Sequence, residues 1–164
     1  MTARVNDELV DIVDDADRVI RTVPRRTMRR DNLQHRVVFI VVWSSTGAVL
    51  VHRRSDSKDV WPGFWDLAVG GVVAAGEWYD TAARRELNEE LGIDADPVEL
   101  GTGRYEDADV RLVGRVYRVV HDGPFTFADG EVVEGRFVSR DELPAMVERQ
   151  RFVPDSVALV MPHL

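Results

Sequence analysis

The chain has 164 residues, and its 29 acidic residues outnumber 21 basic ones, which gives a formal net charge of −8 at pH 7. This length suits one domain with its own core, so we expect a single domain over residues 1–164 with a short N-terminal extension over residues 1–35. The absence of cysteine excludes disulfides, thiolate metal sites and cysteine nucleophiles. The acidic balance disfavours duplex nucleic acid as a partner, because proteins that bind it carry a basic surface.

The sequence carries no signal for membrane insertion or export. Its apolar runs fall short of the roughly 20 residues that a membrane-spanning helix needs. Its first residues lack the apolar region of a signal peptide. We therefore expect a cytoplasmic protein that has no membrane partner.

The first predicted elements are an N-terminal β-hairpin and a short helix. Leu9–Val13 and Arg18–Ile20 have the alternation of two hairpin strands, and Pro24 suits the first turn of a helix that ends near Asn32. Five arginines lie between positions 21 and 30. They form either a solvated helix face or a patch that faces a phosphate or, in a homodimer, a second copy of the chain.

Three strands are predicted in the middle of the chain. The apolar run Val37–Trp43 has the length and the β-branched residues of a strand that is buried on both faces. Ala48–His52 follows it as a second strand. The third, Leu67–Val73, contains Gly70 and Gly71, which indicate a bulge or a close approach of the backbone to another group.

The remaining elements complete an α+β fold. The clearest helix is Glu77–Leu91, whose end is marked by Gly92. Ser139 and Glu142 have the spacing of a capping box, and a last helix is expected near Pro154. Three further strands are predicted: Val98–Tyr105, Val110–Val120 and Val132–Val138. This order of strands and helices predicts a mixed α+β sandwich.

The stretch over residues 71–93 carries the chemistry. Glu86, Glu89 and Glu90 are spaced i, i+3 and i+4, so they share one face of the predicted helix and repel one another. A hard divalent cation, which prefers carboxylate, water and phosphate oxygens, would offset that repulsion. Arg85 lies within reach of Glu89 at i+4.

The same stretch fits the pattern G-x5-E-x7-R-E-U-x-E-E-x-G-U, in which U is a bulky aliphatic residue, at every specified position. It resembles the Nudix box of the Nudix hydrolase superfamily. The resemblance implies an α/β/α sandwich with a mixed β-sheet and a loop–helix–loop catalytic motif. It also implies Mg²⁺- or Mn²⁺-dependent hydrolysis of a diphosphate bond in a small-molecule substrate, a nucleoside diphosphate linked to another group.

The resemblance assigns roles to residues of the box. Glu86, Glu89 and Glu90 would bind the metal, and the carbonyl of Gly70 would supply a further ligand. Arg85 would orient the glutamates through a salt bridge.

The general base is not fixed by the box. Within the superfamily it is either a box glutamate or an acidic residue of a later loop. Here Glu131 and Glu134 are candidates from the later part of the chain, and the alternative is that both are ordinary surface acids. Glu77 is expected to be structural.

Substrate-binding residues are expected just before the box. Arg53, Arg54 and Lys58 either hold phosphate or are solvated loop charges. Trp61, with the two aromatic residues that follow it closely, either walls a substrate cleft or packs in the core.

A second, narrower resemblance links residues 53–66 to the segment before the box in the isopentenyl diphosphate isomerase branch of the superfamily. Those isomerases use a catalytic cysteine beside a metal-binding histidine. The corresponding positions here are Gly70 and Val72, and the chain has no cysteine. Isomerase activity is therefore the less favoured alternative to hydrolysis, and a nucleotide-sensing module on the same fold is another.

Overall fold

A long central strand, β3 (His35–Trp43), organises the fold in the computed structural model, which describes residues 7–164. Its side chains alternate between two cores, as predicted for a strand buried on both faces. Val37, Phe39 and Val41 enter one core. The residues between them, Val38, Ile40 and Val42, enter the other.

The other strands pair around β3 to give a mixed sheet. They are β1 (Leu9–Val13), β2 (Val19–Pro24), β4 (Val49–Arg54), β5 (Trp65–Asp66), β6 (Val69–Val72), β7 (Val98–Glu106), β8 (Arg111–Val120) and β9 (Val132–Val138). β3 is parallel to β8 and antiparallel to β6. β7 extends the sheet beyond β8, while β5 and β9 both pair with β4. The hairpin of β1 and β2 joins at the start of β3.

Helices cover both faces of this sheet. They are α1 (Arg25–Arg30), α2 (Tyr79–Leu91), α3 (Leu143–Arg149) and α4 (Pro154–Val160), followed by a 3-10 turn, Met161–His163. α2 packs Leu87 and Leu91 on the core that contains Ile40. α4 packs Val160 on the opposite core. The arrangement confirms the predicted α+β sandwich with helices on either side of a mixed sheet.

Several element boundaries differ from the prediction. β2 runs on to Pro24, whose extended ψ of 145° places it before the helix, so α1 begins at Arg25. α2 begins at Tyr79, because the Glu77 side chain accepts a hydrogen bond from the Ala74 N–H at 3.0 Å and closes a turn before the helix.

Two further predicted element boundaries also differ from the structure. The strand expected over Leu67–Val73 is shorter, Val69–Val72, and a separate two-residue strand precedes it. The capping box predicted at Ser139 and Glu142 is not complete. The Glu142 N–H donates to Ser139 Oγ at 3.2 Å, but the Glu142 carboxylate accepts from the Ser139 hydroxyl at 3.0 Å rather than from its backbone N–H, and the α-helix starts only at Leu143. A last helix near Pro154 is confirmed.

The N-terminal hairpin holds the loop that leads into α2. The Gly76 N–H donates to Asp11 Oδ2 at 2.9 Å, and the Tyr79 hydroxyl donates to Asp17 Oδ2 at 3.0 Å. Arg36 donates to the same Asp17 carboxylate at 2.7 Å. The extension is thus packed directly against the loop of the box.

The predicted arginine patch divides between two environments. Arg25 and Arg29 are largely buried and point inward to Asp59, at 3.4 and 3.0 Å. Arg26 and Arg30 are exposed and pair with surface aspartates. Over residues 7–164, no helix is long and apolar enough to cross a membrane.

Candidate active site

The three box glutamates lie at different depths. Glu86 and Glu90 are only 7% and 3% exposed, whereas the side chain of Glu89 is 50% exposed. Glu86 and Glu90 are one helical turn apart, so they point the same way. The box therefore offers one buried pair of carboxylates and one carboxylate that solvent reaches.

Two glycines of β6 make room for this pair. A Cβ built on Gly71 would lie 2.6 Å from Glu86 Oε1, and one built on Gly70 would lie 1.9 Å from the carbonyl oxygen of Val38. Only glycine allows the backbone to approach a carboxylate and a neighbouring strand so closely. The predicted close approach at these glycines is confirmed.

Arg85 connects the acidic side chains around it. Its Nε and Nη2 donate to the two carboxylate oxygens of Glu77 at 2.8 and 2.9 Å. Its Nη1 donates to Glu86 at 2.7 Å and to Glu89 at 3.3 Å. The hydrogen bonds to Glu77, followed by the charge of Glu86, raise the pKa of Arg85. Arg85 thus holds Glu86 more tightly than it holds Glu89, although helical spacing predicts Glu89 as its partner.

Lys58 lies on the other side of the buried pair. Its Nζ is 4.0 Å from Glu90 Oε1 and contacts Glu131 Oε2 directly. Lys58 belongs to the loop after β4, and Glu131 precedes β9. No motif in the sequence indicates that these two loops meet at α2.

Burial dominates the electrostatics of the glutamate pair. It raises the pKa of Glu86 to about 7 although Arg85 opposes it. Burial also raises the pKa of Glu90 well above its usual range, and Glu86 adds to this while Lys58 opposes it. Two buried carboxylates side by side therefore lack enough positive charge to stabilise their ionised forms.

A divalent cation fits this donor set. Hard cations prefer carboxylate oxygens, and Mg²⁺ is commonly held by one or two carboxylates together with waters and substrate phosphates. Among residues 7–164, no three potential ligand side chains are already gathered around one point. A cation here would be held by Glu86 and Glu90, and the half-exposed Glu89 together with a substrate would complete its coordination.

A cleft of about 540 Å³ opens beside Glu86, and Glu90 is not among the described residues that line it. It brings together many of the residues predicted for the site, namely Lys58, Gly70, Arg85, Glu86, Glu89 and Glu131. It also includes Glu8 and Arg25 of the N-terminal extension, which the sequence did not single out individually.

Other predicted residues lie elsewhere. Arg53 Nε donates to Glu134 Oε1 at 3.1 Å across the paired strands β4 and β9, and neither is among the described residues that line the cleft. Arg54 Nη1 lies 3.5 Å from Asp66 Oδ2. It borders a second cavity together with Trp61.

Comparison with known proteins decides the family. A family model described as "NUDIX domain" matches residues 33–156. The chain belongs to the Nudix family. The Escherichia coli (strain K12) protein described as uncharacterized Nudix hydrolase YfcD is 40% identical over 151 residues, which cover 92% of this chain and 83% of that protein. The chain is accordingly a hydrolase of a family that acts on pyrophosphate bonds of nucleoside diphosphate derivatives.

Solved structures show the same Nudix fold. DR0079 from Deinococcus radiodurans is 27% identical with a TM-score of 0.79, and the match covers 94% of this chain and 98% of that one. The NUDIX domain of Shewanella oneidensis NrtR, solved in complex with ADP ribose, is 19% identical with a TM-score of 0.62. That match covers 78% of this chain and 84% of that one, and at such an identity it shows the fold alone.

The second cavity, here called the inner pocket, adjoins the Nudix cleft. It measures about 60 Å³ and shares Arg25, Lys58 and the backbone of Gly70–Val72 with the cleft. The polar residues that line only the inner pocket are Arg29, His35, Arg54, Asp59, Trp61, Asp66 and Asp155. None of the three aspartates in this set has a role predicted from the sequence, although Asp59 and Asp66 lie in the segment 53–66, and Asp155 comes from α4.

The raised pKa of Asp155 leads to a prediction about the stability of the fold, which can be tested without an activity assay. Burial, and then the charge of Asp66, raise its pKa from 3.8 to about 7. Because the folded-state pKa is the higher one, the stability that Asp155 contributes is present below about pH 4 and is lost as the pH rises through about 7. We expect Asp155→Asn to stabilise the fold at pH 8 by up to about 4 kcal/mol, and to have little effect at pH 4.

Urea denaturation at the two pH values measures this difference. Asparagine keeps the oxygen that accepts the Ser156 N–H at 2.7 Å, so the local turn is preserved. Asp141→Asn, at an exposed position, is the matched control and should change stability by less than about 0.5 kcal/mol at either pH. A stabilisation by Asp155→Asn that is equal at both pH values would contradict the prediction.

Proposed function

We propose that this Nudix protein hydrolyses a diphosphate bond in a nucleoside diphosphate linked to another group, that it uses Mg²⁺ or Mn²⁺ to do so, and that it works in the cytoplasm. The observation that carries the proposal is the buried pair of carboxylates, Glu86 and Glu90. The pair lies beside the glycines of strand β6, and too little positive charge surrounds it to stabilise both ionised carboxylates. Membership of the Nudix family, by the match to residues 33–156, supports the substrate class.

Glu86, Glu90 and Glu89 would hold the divalent ion. Once bound, such an ion lowers the pKa of a water ligand and stabilises charge that develops on the phosphate oxygens. Arg85 keeps Glu86 in position through its 2.7 Å hydrogen bond. It is itself fixed by two hydrogen bonds to Glu77, so Glu77 acts as a positioning residue.

Glu131 is the stronger of the two later candidates for the general base. It lines the cleft and contacts Lys58, whereas Glu134 pairs with Arg53. A base must lie within hydrogen-bond reach of the proton that it removes. Lys58 also lines the cleft, and its Nζ can contact a phosphate oxygen of the substrate as well as Glu131.

The test is a panel of diphosphate compounds: nucleoside diphosphates, nucleotide sugars, dinucleotides and coenzyme A derivatives, each with Mg²⁺, with Mn²⁺ and with chelator. We expect metal-dependent release of a nucleotide or phosphate from one class. Binding of these compounds in thermal-shift measurements without any cleavage would contradict hydrolysis and favour a nucleotide-sensing module.

Metal removal is expected to leave the fold intact. The ion would sit between α2 and an open cleft, and the two cores of the domain lie on either face of β3. The melting temperature in chelator should therefore stay within about 3 °C of its value without chelator, since a 1 kcal/mol change corresponds to about 2–4 °C in a domain of this size. A much larger fall would indicate a structural ion instead.

A further inference from the structure

The inner pocket contains polar atoms that nothing in the described part of the chain satisfies. His35 Nε2, Arg54 Nε and Trp61 Nε1 are buried, and among residues 7–164 they find no hydrogen-bond partner. His35 is 1% exposed. Most buried polar groups in folded proteins have a partner, and an unpaired one is explained by strain, a functional role, or a bound water or ion. Three unpaired atoms on residues that line one pocket favour an occupant of that pocket.

The hydrogen-bonding role of each atom follows from its chemistry. His35 Nδ1 lies 2.9 Å from the carbonyl oxygen of Leu33, and because a carbonyl only accepts, Nδ1 carries the hydrogen. Burial, with the charge of Arg29, lowers the pKa of His35 to about 3, so the ring is neutral and Nε2 is an acceptor. Trp61 Nε1 and Arg54 Nε are donors.

Each cation that lines the pocket already has a carboxylate partner. Arg25 pairs with Asp59 and Glu8, Arg29 with Asp59, Arg54 with Asp66 and Lys58 with Glu131. Burial raises the pKa of Asp155, which favours its neutral form. A further anion would face the lone pair of His35 and the nearby aspartates, so the pocket suits an uncharged group.

The size of the pocket restricts its occupant. A cavity of about 150 Å³ holds one benzene ring, and each water needs roughly 10–15 Å³. At about 60 Å³ the inner pocket has room for a group of a few non-hydrogen atoms and excludes a nucleobase. The larger cleft, at about 540 Å³, has room for the nucleoside.

We infer that the inner pocket binds a small, uncharged group carrying both a hydrogen-bond donor and an acceptor, joined to the diphosphate that lies in the cleft. The inference rests on the proposed function and names the group that is linked to the nucleoside diphosphate. A hydroxyl meets the requirement, because its hydrogen can be donated to an acceptor such as His35 Nε2 while its oxygen can accept from a donor such as Trp61 Nε1.

The conformation of Trp61 supports this assignment. Its φ of +52° lies in the left-handed region, which a bulky side chain rarely adopts and which commonly marks a functional site. Its ring lies 5.5 Å from the Phe64 ring. The indole is thus held at the pocket by a strained backbone and an aromatic neighbour.

Two probes that differ in one hydroxyl test the inference: 2-hydroxyethyl diphosphate and ethyl diphosphate. Their dissociation constants are measured by calorimetry with Ca²⁺ in place of Mg²⁺. We expect the wild-type protein to prefer the hydroxyl compound at least tenfold, because ethyl diphosphate displaces water and leaves the buried atoms unsatisfied. Trp61→Phe keeps an aromatic ring and removes the donor, and should lower the preference to about twofold.

A second pair of variants, both at His35, shows whether a lost preference results from misfolding rather than from the lost hydrogen bond. His35→Leu removes the acceptor and should also abolish the preference, whereas His35→Gln restores an acceptor and should recover part of it. All three variants should bind ethyl diphosphate at least as tightly as the wild type does, because none of them adds a buried polar atom that this probe leaves unsatisfied.

The outcomes separate this inference from the proposed function. Equal affinity of the wild type for the two probes, or an unchanged preference in Trp61→Phe and His35→Leu, overturns the inference alone and leaves a pocket that holds only water. Failure of both probes to bind overturns the inference. If, in addition, no compound of the diphosphate panel is cleaved, the proposed function is overturned as well.

Discussion

Replacing Glu90 by glutamine is expected to lower kcat at least about a hundredfold while the protein remains folded. Glu90 is 3% exposed, so glutamine fits the same space, but it removes the carboxylate that would bind the cation. A metal ion supplies several kcal/mol of stabilisation to the transition state, and a hundredfold loss corresponds to about 2.7 kcal/mol. The rate is measured on the diphosphate compound that the wild type cleaves fastest.

Glu89→Gln should give a comparable loss, because Glu89 lines the cleft and Arg85 holds it at 3.3 Å. Glu148→Gln is the control. It changes an exposed glutamate of α3, outside the cleft, and should leave kcat within about twofold of the wild-type value. Activity at the wild-type level in both Glu89→Gln and Glu90→Gln would remove the metal-site assignment.

Gly70→Ala should destabilise the protein by about 3 kcal/mol or more. The new Cβ would lie 1.9 Å from the carbonyl oxygen of Val38 and 3.3 Å from the Cα of Phe39. Both atoms belong to β3, whose side chains fill the two cores, so this backbone cannot move aside cheaply. Guanidinium denaturation measures the loss.

Gly130→Ala is the control that separates the steric overlap of a new Cβ from the cost of the backbone conformation. Gly130 has a φ of +73°, and a Cβ built there meets nothing within 4 Å, so only the backbone conformation is penalised, by about 1–2 kcal/mol. Gly71→Ala separates stability from function, since its Cβ would meet the Glu86 carboxylate rather than the backbone. It should lose activity with a smaller loss of stability. Equal stability losses in Gly70→Ala and Gly130→Ala would contradict this account of β6.

The box helix and its acidic residues were predictable because local sequence determines them. Glycine at the end of α2 adopts the left-handed conformation that a helix terminus favours, with a φ of +67°. The central strand was equally clear from its unbroken apolar run. Spacing alone, however, put three glutamates on one face and did not distinguish the buried pair from the half-exposed Glu89.

The choice between Glu131 and Glu134 depended on register. The pairing of β4 with β9 shifts between Arg53 and Arg54, and nothing in the sequence marks that irregularity. Arg53 lies opposite Glu134 in the regular register, whereas after the shift Arg54 lies opposite Val132 and its side chain pairs with Asp66. A one-residue shift in a strand sends side chains to the opposite face of the sheet, so the residues that meet at the cleft could not be read from the sequence.

The inner pocket was beyond sequence analysis for a related reason. Its ion pairs join α1 to the loop after β4, as in Arg29 with Asp59, and its remaining acid comes from α4. Such contacts depend on how the elements pack rather than on local pattern. His35 belongs to no motif in the sequence, and only its burial and its unpaired nitrogen mark it as a candidate ligand-binding residue.

The most direct test of the central claim is a count of the Mn²⁺ ions that the protein binds, from the electron paramagnetic resonance signal of free Mn²⁺ during a titration. The wild type and the double variant Glu86→Gln, Glu90→Gln are compared without substrate. We predict at least one ion bound by the wild type that the double variant does not bind. The same number of ions bound with the same affinity by both proteins would contradict a metal site at the buried glutamate pair.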